Sequence, residues 1–193
     1  DSVVLDARVS FHIRQLAVQT GYHFVYGASG AEEGGTYGVG ILSKWPLETT
    51  QKLPLPHSAA TDARVMVCGL VSPVKGRYFR FCTARLDYSS IFDRALQSAF
   101  IHQVLSPSVQ PVLLAMDLGA RPGEQSQTFF QADWMDAAQT SVEPTLSQGQ
   151  PGDRFDYLLA LKNTDVRVVS YEVLREHATI SSHLPVIAVF EFR

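Results

Sequence analysis

The stretch PVLLAMDLGARP, residues 111–122, decides the reading of this chain. Its run 112–116 is short, continuously apolar and bounded by proline and a polar loop, which reads as a buried strand. Asp117 follows at once. Taken alone, an aspartate after a buried strand is more often a loop cap than a catalyst. Working outward, four more segments end strand-like apolar runs in the same manner: YGVGILSKWPL (37–47), TARLDY (83–88), RFDYLLA (154–160) and SSHLPVIAVFEF (181–192).

Composition bounds the answer. With 193 residues, 46% of them hydrophobic, the chain can bury one sizeable core and is expected to be a single domain over 1–193. No apolar run approaches the roughly 20 residues of a membrane span, so no span is expected. The formal charge of −3 and the scattering of the 16 lysines and arginines make nucleic acid an unlikely partner. Cys68 and Cys82 lie in two runs, 64–71 and 77–85, joined by the turn-like Ser72-Pro73-Val74-Lys75-Gly76. A hairpin there would set them nearly opposite each other. A cross-strand disulfide is possible, but two buried thiols are the expectation, because one cysteine pair is weak evidence of an oxidising compartment.

Patterning places a strand at 1–5, a helix over 10–20 capped by Ser10 with Phe11, Leu16 and Val18 on its apolar face, and a strand at 22–26. A glycine- and acid-rich loop is expected at 27–35, a strand at 38–43, and an irregular, proline-broken connection before the 64–85 hairpin. An amphipathic helix is expected over 89–105, stopped by Pro107, with a short helix at 125–131 and late strands at 154–161, 166–174 and 185–192.

In order and spacing the five segments resemble the endonuclease/exonuclease/phosphatase superfamily, the fold of the DNase I-like nucleases, inositol phosphatases and sphingomyelinases. The resemblance implies an α+β fold: a four-layer α/β-sandwich of DNase I-like type, with two mostly antiparallel packed sheets flanked by helices. In such proteins a divalent metal, usually magnesium, is held mainly by a glutamate ending an early strand. That position falls here on Ala7, and a methyl group cannot hold a hard cation. Asp6 is one residue away and would point to the opposite face without a bulge or register slip.

Six further positions are carried over. The THL histidine is replaced by Arg85, which is expected to pair with Asp117 in place of the metal charge and is also a phosphate-binding candidate through its fork. The GDLN motif retains Asp117 but has Gly119 where its asparagine would be. Asp156 in Arg154-Phe155-Asp156-Tyr157 and His183 in Ser181-Ser182-His183 match a coupled pair in which the carboxylate orients the imidazole. Ser182 stands where relatives carry an acid, and Arg154 is a second phosphate-binding candidate.

Asp117, Asp156 and His183 are thus family positions retained, while Ala7, Arg85, Gly119 and Ser182 are departures. The expectation is a catalytically inactive domain with a structural or binding role in a larger assembly and with no metal cofactor. The alternative is a magnesium-dependent phosphodiesterase or phosphatase whose rearranged site uses Asp6, Asp117 or Asp156. Relatives also begin with a strand that has no counterpart here, so an upstream segment or a protein partner is expected to complete the sheet. The compartment is left open, the matrix of an organelle being one expectation for an organellar complex.

Overall fold

The computed structural model describes residues 3–6, 12–32, 35–162 and 166–192. In chain order its elements are β1 (Val3–Asp6), α1 (His12–Thr20), β2 (His23–Glu32), β3 (Gly35–Ser43), β4 (Leu47–Leu55), β5 (Arg64–Val74), β6 (Arg77–Arg85) and α2 (Ile91–Leu105). There follow β7 (Val112–Asp117), α3 (Gln125–Thr128), β8 (Trp134–Asp136), β9 (Asp156–Leu161), β10 (Val166–Val173), a 3₁₀ turn (Arg175–His177) and β11 (Val186–Phe192).

Strands β4-β5-β6-β7-β9-β8 form one six-stranded sheet, antiparallel except for the β6–β7 pair that α2 connects. One face of this sheet carries Met66, Cys82, Leu114, Met116 and Tyr157 against Ile101 and Leu105 of α2 and against Phe130 and Trp134, which forms the main core. The opposite face meets two smaller sheets, β1-β3-β2 and β10-β11. Burial between the layers centres on Val25 and Ile41 above Val65 and Val67. Outside them, α1 seats Ile13 against Tyr26 and Leu42. The result is helix, sheet, sheet, helix: an α+β fold of four layers.

Several expectations need correction. Residues 27–32 continue β2 rather than forming a loop, and glycine is what the position demands: a Cβ on Gly27 would strike the side chain of Val67 and crowd Val65. The proline-broken stretch contains β4, an edge strand paired only with β5, where Pro54 opposite Val65 is tolerated because one side of the ladder is open. Strand β8 had no period-2 signal in its three residues. In α1 the buried positions are Ile13 and Ala17, while Leu16 and Val18 face solvent; Ser10 and Phe11 lie outside the described residues.

Helix α2 is capped by the hydroxyl of Ser90, which accepts from the Asp93 amide. Its first turns bury polar rather than apolar side chains. Asp93 accepts from the Ser58 amide and from the Ser58 and Thr61 hydroxyls, and Gln97 bridges the Asp87 amide and the Pro56 carbonyl. Those bonds tie the loop after β4 to the helix, and they leave Ile91 and Phe92 exposed. Helix α3 ends at Thr128, shorter than expected, as the chain turns to carry Phe130 into the core.

Cys68 and Cys82 are directly paired across β5 and β6 and form a disulfide, contrary to the expected free thiols. The hairpin register is the cause: both side chains fall on the same face of neighbouring strands with Cα atoms 4.0 Å apart.

Candidate functional site

Three strand ends bring the site together. In the ladder, Arg85 at the end of β6 is the partner of Asp117 at the end of β7, and Asp117 is the partner of Asp156 at the start of β9. Because β6 and β7 run parallel while β9 returns against them, two C-terminal ends and one N-terminal end meet at one edge of the sandwich. The alternation that buries Val112, Leu114 and Met116 under α2 turns Leu113, Ala115 and Asp117 to the other face, toward the smaller sheets. A sheet built this way presents Arg85, Asp117 and Asp156 side by side.

His183 reaches the row from the loop before β11. Its Nδ1 lies 2.8 Å from Oδ2 of Asp156. Thr145, fully buried, aligns the two segments that carry this pair. Its hydroxyl accepts from the amides of Phe155 (3.0 Å) and Asp156 (3.2 Å), and its carbonyl accepts from the Leu184 amide at 2.7 Å. A threonine in a polar loop carries no periodic or motif signal, so this role is not legible in the residues alone.

The guanidinium of Arg85 lies with Nε 3.2 Å from Oδ2 of Asp117, both side chains about a quarter exposed. The other oxygen of Asp117 accepts from the Gly119 amide at 3.2 Å, a local turn in which Gly119 holds φ at +66°. The site opens into a cavity of about 240 Å³ lined by Thr83, Arg85, Ala115, Asp117, Asp156 and Val186, among others.

Electrostatics follow from this crowding. Burial, then the charge of Asp156, pushes the Asp117 carboxyl above the usual carboxylate range, and these outweigh the opposing pull of His183 and Arg85. The hydrogen bond to Asp156 raises the His183 imidazole above its ordinary value against the cost of burial, so the ring is biased toward its charged form.

Arg154 is not part of this row. Its guanidinium makes two hydrogen bonds to Asp136, at 3.2 and 2.8 Å, and sits 4.3 Å from the centre of the Tyr157 ring with a side chain only 3% exposed. It braces the start of β9 against β8 from below. Ser182 is exposed, and its carbonyl accepts from the Ser147 amide. Ala7 lies outside the described residues; Asp6 pairs through its backbone with Gly35.

Asp117, Asp156 and His183 each offer a ligand atom, all within 4.8 Å of one another, which is close enough to ask whether they fit a divalent metal. For magnesium they do not. One carboxylate faces a permanent cation at 3.2 Å and the other accepts from an imidazole, whereas magnesium requires several hard oxygens in near-octahedral array. The Arg85 guanidinium already faces the Asp117 carboxylate.

No family model matches the sequence, and no curated protein matches it. Solved structures do match in shape. The chain is similar to the mannosyl-6-phosphatase Bt3783 of Bacteroides thetaiotaomicron (TM-score 0.80, 16% identity, 93% of this chain and 80% of that one). It is similar also to the human Nocturnin catalytic domain with a bound sulfate anion (0.78, 16%, 94% and 76%). A third match is an endonuclease/exonuclease/phosphatase from Beutenbergia cavernae (0.82, 20%, 100% and 61%). Among the described residues no helix is long and apolar enough to cross a membrane. The chain therefore has the DNase I-like fold of the endonuclease/exonuclease/phosphatase proteins.

Proposed function

We propose that this domain has given up metal-dependent hydrolysis and serves as a binding or structural unit of a larger assembly. The observation that carries this reading is the Arg85–Asp117 ion pair, which places a fixed cation on the carboxylate that a metal-dependent centre would leave open. Metal-dependent phosphoryl transfer rests on the metal's charge and on preorganised donors. Ala7, Gly119 and Ser182 remove further polar groups from the positions where the resemblance would put them. The retained Asp156–His183 pair then acts as a strut, a charge-assisted hydrogen bond joining β9 to the loop before β11.

Calorimetric titration with magnesium and manganese to millimolar concentration tests this. The expected result is no saturable binding and no hydrolysis of a phosphodiester chromophore. A binding isotherm that vanishes in Asp117→Ala would overturn the proposal. It would favour the second reading, a rearranged metal site, for which the 4.8 Å grouping of Asp117, Asp156 and His183 is the supporting observation.

A further inference from the structure

Helix α2 is inverted over its first turns. Its one acid and one guanidinium, Asp93 and Arg94, are buried, as are Gln97 and Ser98. The opposite side holds Phe92, Ala95, Leu96 and Ala99, with Ile91 beside them; Ile91, Phe92 and Leu96 are 65%, 69% and 40% exposed. Residues spaced i, i+3, i+4 and i+7 share one face, and an apolar face of that kind is ordinarily turned to a core. Here it is turned to solvent.

A polar network sets the rotation of the helix. Asp93 accepts from Ser58 and Thr61, Gln97 joins the Asp87 amide to the Pro56 carbonyl, and Arg94 donates to the carbonyls of Asp87 and Tyr88. Turning α2 to bury Phe92 would strand these groups, at about 1–3 kcal/mol for each unsatisfied polar group and more for a charge. The fold therefore holds the apolar stripe outward.

We propose that this stripe is the contact between two copies of the chain, packed α2 on α2 and antiparallel about a two-fold axis passing between Ala95 and Leu96. Under that symmetry Phe92 of one copy lies level with Ala99 of the other, and Leu96 with Ala95, so every large side chain meets a small one. A parallel pair would set Phe92 on Phe92 and alanine on alanine, combining a clash with a void. The stripe is complementary in size to itself, in one orientation. Charge agrees. A face without an acid, lysine or arginine buries no such charge when doubled, and it offers none to select the charges of an unrelated partner. Ala95 and Ala99 let the two axes approach to about 8 Å, the near end of helix packing. The area covered over both copies is on the order of 1,000 Å², the lower bound for a specific contact, so the dimer is of the weak, reversible kind. The candidate site stays open in it, since α2 packs on the face of the six-stranded sheet opposite the one to which Asp117 turns. This inference stands on α2 alone and holds whether or not the site binds metal.

Sedimentation velocity of the 193-residue chain over a range of micromolar concentrations tests this. Expected is a monomer–dimer equilibrium that Leu96→Lys, and separately Phe92→Lys, weakens by about tenfold or more. Ile187→Lys, on the exposed strand β11, should leave it unchanged. Both α2 positions are exposed, so the variants should keep the wild-type circular dichroism. Cys68 and Cys82 are bonded to each other and no other cysteine is present, which allows a test of register. Under mild oxidation the double variant Phe92→Cys with Ala99→Cys should crosslink into a dimer, and neither single variant should. If a lysine variant does not fold, the crosslinking arm decides alone. Four results would overturn the proposal. The chain is a monomer at every concentration. A dimer forms that Ile187→Lys breaks and both α2 lysine changes leave intact. Phe92→Cys alone crosslinks as fully as the double variant, the mark of a parallel pair. In protein purified from its native source, the α2 face is protected from amide exchange by a different polypeptide, or by a further segment of its own, with no second copy present.

Discussion

Replacing Arg85 by methionine tests the charge logic of the site directly. The change keeps most of the side chain's length and removes the cation, leaving Asp117 beside its ladder partner Asp156 with His183 to offset them. At 3.2 Å and an effective dielectric near 20, the gross attraction lost is about 5 kcal/mol. Solvent reaches both partners, and the pair had to be desolvated to form, so the net loss should be nearer 2 kcal/mol at pH 7. For a domain of this size that is a fall in Tm of roughly 4–8 °C. Protonation supplies an internal control. Because the Asp117 carboxyl titrates above the usual range, lowering the pH should neutralise it and shrink the penalty. Urea unfolding of wild type, Arg85→Met, Asp117→Asn and the double variant at pH 7 and pH 4.5 gives the cycle. Expected is a coupling of about 1–2 kcal/mol at pH 7 that shrinks at pH 4.5. Additive single changes, or a penalty unchanged by pH, would refute the ion-pair account.

Three other outcomes follow from the same geometry. His183 binds its proton more tightly folded than unfolded, so its contribution is fully present below the ordinary histidine range and lost as pH rises through the raised value; His183→Gln should flatten that part of a stability–pH curve, and an unchanged slope would count against the Asp156–His183 bond. Asp136→Asn leaves the buried Arg154 charge without its carboxylate and should cost about 3–5 kcal/mol in urea unfolding; a change below 1 kcal/mol would show that the Tyr157 ring alone holds it. Exchanging both Cys68 and Cys82 for alanine should lower stability by about 3 kcal/mol, the loop-closure value for a crosslink of this sequence separation, and an equal Tm for oxidised wild type and variant would mean the bond adds nothing.

Legibility in the sequence tracked how local the cause was. The strand β7 and the 64–85 hairpin were readable because a buried strand and a turn write themselves into consecutive residues. The fold class came from the order and spacing of five motifs, and solved structures only 16–20% identical to the chain share that fold. What escaped was decided by partners far along the chain. Gly27 looked like loop material, yet it is a strand glycine because Val67 presses on it. The polar first turns of α2 defied the apolar pattern because Ser58 and Thr61 bond to Asp93. At the site, Arg85 and Asp117 could be expected to pair, since both end neighbouring strands. Arg154 read as a phosphate contact only because its partner, Asp136, sits on a three-residue strand with no signature of its own.

The strand order β7-β9-β8 fixes when, as well as where, the candidate site can exist. β8 is synthesised before β9 but lies outside it, so the sheet cannot extend past β7 until β9 inserts between them. A chain emerging from a ribosome at about 5–20 residues per second will have β5, β6, α2 and β7 available for seconds before Asp156 appears, with His183 later still. During that interval β7 is an exposed apolar edge, and the Arg85–Asp117 pair at its end lacks Asp156 and His183. Nascent chains halted between β8 and β9 should therefore be the aggregation-prone species, and synthesis of the segment from Asp156 to His183 is the step at which this edge becomes both covered and chemically complete.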